Sequence, residues 1–163
     1  MHVTRLTAAD AERFLQFRAE ALANDPLTFR ITPDDDAALG LPFWRERLTR
    51  DFVVAVIDDD GRWLGMGGLS QLVGSKLSHK ALIWGMYVAP AARGSGAASR
   101  IIEALLEHAR GRVRQVQLTV MADNERAQAL YKRHGFVTYA IEPASVRRGD
   151  RFDDEALMWR LVD

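Results

Sequence analysis

Apolar positions along the chain follow two periods, and their order sketches a fold. Residues 2–6 (HVTRL) alternate polar and apolar, as a short edge strand does. Thr7 and Asp10 have the spacing of a capping box and predict a helix start. Phe14, Phe17, Arg18, Ala21 and Leu22 then recur at helical spacing until Asn24-Asp25-Pro26 ends the run. A second helix is predicted from Pro33-Asp34, with Leu41, Trp44 and Leu48 as its apolar stripe; Leu27–Thr32 between the two reads as loop.

The period then changes. Phe52–Ile57 is a continuous β-branched run, the mark of a buried strand. Turns at Asp58–Gly61 and Gly74–Lys76 separate it from strands predicted over Arg62–Val73 and Leu77–Val88, an antiparallel meander. A helix follows with Ala97, Ile101, Ile102, Leu105, Leu106 and Ala109 inward, then a strand over Val113–Val120. A short helix from Asn124 to His134 should stop at Gly135, and Phe136–Ile141 and Glu155–Leu161 supply two last strands. The order β-α-α-β-β-β-α-β-α-β-β predicts an α/β (α+β) fold with one mixed sheet and helices on both faces. No repeat or linker breaks it, so residues 1–163 are expected to form one domain.

Composition narrows the function. Lys+Arg and Asp+Glu both number 22, so the net charge is zero and the footprint of a nucleic-acid binder is missing. There is no cysteine, which excludes disulfides, thiolate metal sites and a cysteine nucleophile, and is compatible with a reducing compartment. The least polar run, Ala81–Ala92, holds Gly85 and Pro90 and is shorter than the ~20 residues of a membrane span. The first residues are charged and unlike a signal peptide. A soluble, cytoplasmic protein is expected. His2, His79, His108 and His134 show no ligand spacing, so no metal is expected.

Two segments carry chemistry. Val88–Ala98 (VAPAARGSGAA) joins a strand to an amphipathic helix. Helix-start N–H groups lack internal partners, small residues admit close approach, and the dipole favours an anion. Arg93 adds a planar fork suited to phosphate. The spelling excludes a Walker loop, which needs Gly-Lys-Ser/Thr, and a dinucleotide fingerprint, which needs a third Gly or Ala where Ser99 stands. A turn without a ligand is the plain alternative. In the second segment, Asn124 and Tyr131 lie seven residues apart on one helical face, with the small Ala127 between them. Asn124 is equally a natural cap, and Tyr131 equally a core residue.

Taken together, R-x-x-G-x-A at Arg93–Ala98 and N-x-x-A-x-x-L-Y-x-x-x-G-F at Asn124–Phe136 resemble the GNAT superfamily of acyl-CoA-dependent N-acyltransferases. Glu20-Ala21-Leu22, Asp25-Pro26 and Asp154-Glu155-x-x-Met158 are weaker echoes. The resemblance implies a mostly antiparallel sheet and an N-acetyltransferase moving acetyl from acetyl-CoA to a primary amine by direct attack in a ternary complex. It implies a strand ending Met86-Tyr87-Val88 that splays from its neighbour and pairs with pantetheine. Arg93, Gly94, Ser95, Gly96, Ala97 and Ala98 would hold the pyrophosphate, Asn124 and Ala127 the pantetheine arm, and Tyr131 would stand by the sulfur as proton donor. A homodimer through edge strands or the C-terminal hairpin is a further implication.

The strand carboxylate that many members use as base is missing from Ala81–Val88, leaving Glu20, His79 or a water relay as candidates. A non-catalytic acyl-CoA sensor and an enzyme of longer acyl chains are the alternatives. Elsewhere, Asp34-Asp35-Asp36 reads as an acidic helix start or an attraction for cationic acceptors, and Arg110, Arg112 and Arg114 as solvated surface or a contact for the 3′-phosphate. Trp44, Trp63, Trp84 and Trp159 read as packing or an acceptor platform. The acceptor pocket is expected from the first two helices, the loop around Leu27–Thr32 and the loop after Ile141.

Overall fold

Seven strands and four α-helices occupy residues 1–162, the part of the chain described by the computed structural model. In chain order they are β1 (His2–Arg5), α1 (Ala11–Asn24), α2 (Pro33–Arg50), β2 (Phe52–Ile57), β3 (Trp63–Gln71) and β4 (Lys80–Val88). Then come α3 (Ala97–Ala109), β5 (Gln115–Met121), α4 (Glu125–Arg133), β6 (Val137–Arg148) and β7 (Arg151–Leu161). The strands form a mostly antiparallel sheet, in the order β1-β2-β3-β4-β5-β7-β6, with β4 and β5 parallel. The chain divides into two compact units, Met1–Ser70 with Ile83–His108, and Gln71–Leu82 with the chain from Ala109 on. No described helix is long and apolar enough to cross a membrane.

In the first unit the predicted Thr7–Asp10 box is present. The Asp10 carboxylate accepts from the Thr7 N–H at 2.8 Å and from its hydroxyl at 3.0 Å, heading a short 3-10 turn that runs into α1. Phe14, Phe17 and Ala21 of α1 pack with Trp44 and Leu48 of α2 against Val53, Ala55, Met66 and Tyr87 of the sheet. Helix α2 starts under a Thr32 cap and is interrupted at Gly40, whose φ of 76° leaves helical geometry two residues before Pro42.

Strand β3 carries glycines on both faces, and each is filled by a large neighbour. A Cβ on Gly67 would sit 2.6 Å from Ile101 Cγ2 of α3, and one on Gly68 would run into the Trp84 ring. Helix α3 thereby lies on the face opposite α1 and α2.

The second unit is built on β5, which pairs with β4 at Lys80↔Gln115, Ala81↔Val116 and Leu82↔Gln117, and with β7 from Gln115↔Leu161 to Met121↔Glu155. Two expectations are corrected here. Leu77–His79 belong to the turn before β4, where Leu77 and Ser78 donate N–H bonds back to Gly74 O. The segment after Ile141 continues as strand instead of opening into a loop: β6 runs to Arg148 and pairs with β7 through a tight turn at Gly149. Pro143, Ala144 and Ser145 fit because they fall in a register shift between Glu142 and Val146 on the end strand of the sheet. There Ala144, at φ 51°, donates its N–H to Asp154 at 2.8 Å.

Candidate active site

The loop after β4 is open. Pro90–Ala92 form one 3-10 turn, and Gly94 and Gly96 follow at φ 84° and 88°, conformations that suit glycine. Nothing lies within 4 Å of a Cβ built on either residue. The Ala97 N–H is taken by Ser95 Oγ at 3.4 Å, and intrahelical bonding begins with Arg100 N–H to Gly96 O at 3.1 Å. Among the described residues the N–H groups of Gly94, Gly96 and Ala98 have no acceptor. Three donors on an uncrowded turn at the positive end of a 13-residue helix are what an anion needs. Arg93 is not poised over them. Its Nη2 is 2.5 Å from Asp25 Oδ2, and its Nε is 3.3 Å from the Val88 carbonyl.

Strand β4 turns its last side chains to opposite faces. Met86 packs toward Gly67, and Tyr87 toward α1, with its ring 5.3 Å from that of Phe17. The Tyr87 hydroxyl accepts from Asn24 Nδ2 at 2.9 Å and donates to Glu20 Oε1 at 3.3 Å. Burial pushes the Tyr87 phenol above its ordinary value; the Asn24 bond pulls the other way and the Glu20 charge adds to the rise. Glu20 itself is exposed, and Tyr87 ties it to the end of β4.

In the second unit α4 is fixed at both ends. Asn124 Oδ1 accepts from Ala127 N–H at 3.1 Å, so the plain capping role is real and the side-chain amide N–H pair is left over. At the other end Gly135, at φ 81°, lets the Phe136 N–H reach back to the Tyr131 carbonyl at 3.1 Å. Phe136 meets the Tyr131 ring edge-on at 5.9 Å. Tyr131 is 7% exposed, burial pushes its phenol well up, and its hydroxyl has no partner among the described residues. A proton donor held this high still supplies a hydrogen bond to a developing anion, though it gives up the proton less readily than a free tyrosine.

The profile of the acetyltransferase (GNAT) family matches residues 17–136, most of the chain. The chain belongs to this family. Among curated relatives, the L-2,4-diaminobutyric acid acetyltransferase of Chromohalobacter salexigens is 33% identical over 85 residues. That match takes in 52% of this chain and 43% of the relative, so the chain spans less than half the length of the relative it matches. The GNAT acetyltransferase of Streptococcus pneumoniae superposes with a TM-score of 0.88 at 19% identity over 99% of both chains. The GNAT phosphinothricin acetyltransferase of Sinorhizobium meliloti, solved in complex with AcCoA, gives 0.81 at 22% identity, covering 99% of this chain and 88% of its own. These likenesses establish the GNAT fold.

Within that family fold, three contacts were not predicted from the sequence. They are the Asn24–Tyr87–Glu20 set, the Arg93–Asp25 pair and a buried Arg18–Asp36 pair. Only the last left a trace, as a charged Arg18 on the apolar stripe of α1. His79, a candidate base, is exposed in the turn before β4, where its carbonyl accepts from Arg114 and Gln115. No group of three His, Asp or Glu side chains able to hold a metal occurs among the described residues.

Proposed function

We propose that the protein is an N-acetyltransferase that transfers acetyl from acetyl-CoA to a primary amine by direct attack in a ternary complex. The observation that carries this reading is the turn over residues 93–98, with three unpartnered N–H groups and no side chain over Gly94 or Gly96. Gly94, Ser95, Gly96, Ala97 and Ala98 are assigned the pyrophosphate. Arg93 joins them by exchanging Asp25 for a phosphate oxygen or by clipping the turn to α1. The backbone of Met86, Tyr87 and Val88 is assigned the pantetheine arm; the β4–β5 ladder runs only from Lys80 to Leu82, and Gly85 just beyond it has a positive φ of 65°. The spare amide N–H groups of Asn124 and the small face at Ala127 are assigned the same arm, and Tyr131 the departing sulfur.

An alkylamine acceptor with a pKa near ~10.4 is free at only ~1 part in 10³ at neutral pH, a handicap of about 4–5 kcal/mol. Glu20 is assigned the amine proton. It is the carboxylate tied to the end of β4, and Tyr87 holds it there. As the amine attacks, backbone N–H groups of β4 stabilise the oxyanion, and Tyr131 bonds the thiolate as it leaves. From the ammonium form two protons leave the nitrogen: Glu20 passes the first to solvent, and the second, lost as the C–N bond forms and the C–S bond breaks, ends on the thiol. No covalent acyl-enzyme is expected, because the chain has no cysteine and no serine in a nucleophile setting. The acyl-CoA sensor reading is less favoured, since it gives the unpartnered Tyr131 hydroxyl no task.

Residues 1–163 act as one domain in this reading, supported by β4, whose residues are shared between the two units. We place the activity in the cytoplasm, whose reducing conditions suit a cysteine-free chain. Self-association is assigned to the β6–β7 hairpin, where Tyr139 and Phe152 are exposed. The test is release of free CoA thiol from acetyl-CoA with a panel of amines, and acetylated product by mass. Turnover of acetyl-CoA with at least one amine is expected; tight cofactor binding with no turnover on any amine would favour the sensor.

A further inference from the structure

Arg18 is unusual in its surroundings. It projects from the apolar stripe of α1, is 6% exposed, and uses a single nitrogen on protein: Nε donates to Asp36 Oδ1 at 2.8 Å. Its two terminal nitrogens have no acceptor among the described residues, yet they are not sealed from solvent as the neighbouring indole nitrogens are. The guanidinium lies 4.4 Å from the Trp44 ring centre, and Phe29 of the segment between α1 and α2 lies 5.8 Å away.

Arg47 repeats the pattern from α2. Its Nε is 3.2 Å from Asp51, its guanidinium stacks 3.8 Å from the Trp84 ring centre, and its terminal nitrogens have no acceptor among the described residues. Asp51 has little to spare, because Arg50 and the Ser70 hydroxyl also bond it. The Trp44 and Trp84 rings lie 6.1 Å apart, so both guanidiniums are set around one aromatic pair. Both indole nitrogens are buried without partners as well.

Every unsatisfied polar group gathered here is therefore a donor, and two of them are cationic forks. The two forks reach solvent and find no protein acceptor for their terminal nitrogens, and a carboxylate, which only accepts and matches a guanidinium two-for-two, is the group that fits them. The way in is a missing side chain. Gly85, at φ 65° in β4, has only Arg18 Nη1 within 4 Å of its would-be Cβ, at 3.8 Å. Arg18 thus faces the strand to which the proposed function assigns the thioester arm.

We propose that Arg18 and Arg47, framed by Trp44 and Trp84, hold a carboxylate of the acyl acceptor, which makes the acceptor an amino acid bearing both the amine and the carboxylate. The proposal rests on the acetyltransferase reading and adds its substrate class. It gives the Asp34–Asp36 run a role other than attracting cations, since Asp36 orients Arg18. It also makes the tryptophans a platform for the arginines.

The test compares amino acids with their methyl amides, which keep the amine and lose the carboxylate, as acceptors for the unmodified protein. For at least one pair, KM for the acid should be about tenfold or more below that for the amide. Arg18→Lys and Arg47→Gln should raise KM for the acid about tenfold, leave KM for the amide within twofold, and leave acetyl-CoA binding unchanged. Arg47 is partly exposed and serves if the buried Arg18 variant does not fold. Acid and amide used equally well, or acetyl-CoA bound with no acid ever acetylated, would overturn the carboxylate site and leave the cofactor reading standing. No acetyl-CoA binding by the folded protein would overturn the cofactor reading, and this proposal with it.

Discussion

The Arg93 guanidinium at the head of the glycine turn is paired at 2.5 Å with Asp25, the residue that ends α1. Both partners are about one-third exposed, so the pair itself contributes little to stability. Its consequence is positional, since Arg93 Nε also reaches the Val88 carbonyl. Arg93→Ala should weaken acetyl-CoA binding about tenfold, the scale of one charge-assisted hydrogen bond. Asp25→Asn should change it by less than about threefold, because the Val88 contact still orients the fork. Calorimetric titration of both variants checks the order.

Tyr131→Phe removes a hydroxyl that has no partner among the described residues, from a side chain that is otherwise buried. Such a change is close to neutral for folding. It should lower kcat by about 10- to 100-fold, at the small end for a general acid because burial makes this phenol a reluctant donor. KM for acetyl-CoA should stay within about twofold. Steady-state kinetics with a thermal melt separate the two effects. A kcat equal to that of the unmodified protein would remove Tyr131 from the reaction.

Glu20→Gln should depress kcat/KM throughout the neutral range. The rate of the unmodified protein should still rise with pH as more of the amine is free. Tyr87→Phe should reproduce part of the loss, since it frees Glu20 from the end of β4. A pH profile of the three proteins decides it; identical profiles would exclude Glu20 as the base.

Alkaline stability follows from the two buried phenols. Both are pushed above the ordinary tyrosine value, chiefly by burial. Above about pH 10 the unfolded chain has released those protons while the folded chain holds them, so stability is complete below that point and falls as pH rises beyond it. Urea midpoints from pH 8 to 11 should show the fall, less steep in Tyr87→Phe and in Tyr131→Phe.

Gly68→Ala should destabilise the protein by about 1–3 kcal/mol, because the new methyl runs into the Trp84 ring and the core must give. Gly94→Ala meets no atom within 4 Å, so its cost arises from backbone conformation alone. Denaturant unfolding of both should order them with Gly68→Ala the less stable.

Much of this was legible in the chain because the signals are local. The capping box at Thr7–Asp10, the periodic stripe of α1 and the Gly135 stop of α4 each act over one or two turns, and each stands where the pattern put it. The family motifs are equally local. What the sequence hid is long-range. Nothing near Arg93 points to Asp25, and nothing near Tyr87 points to Asn24, because the fold supplies those partners. The long β6 was hidden for a different reason: Pro143 reads as a strand breaker, and only a register shift on an end strand accommodates it. Arg18 was visible as a charge on an apolar face, but its free donors depend on what the rest of the unit withholds from it.

The most direct test of the account is calorimetric titration of the intact protein with acetyl-CoA, repeated with Arg93→Ala. One site of micromolar affinity, weakened about tenfold by the substitution, is expected. No heat of binding from protein shown to be folded, or an affinity indifferent to Arg93, would contradict it.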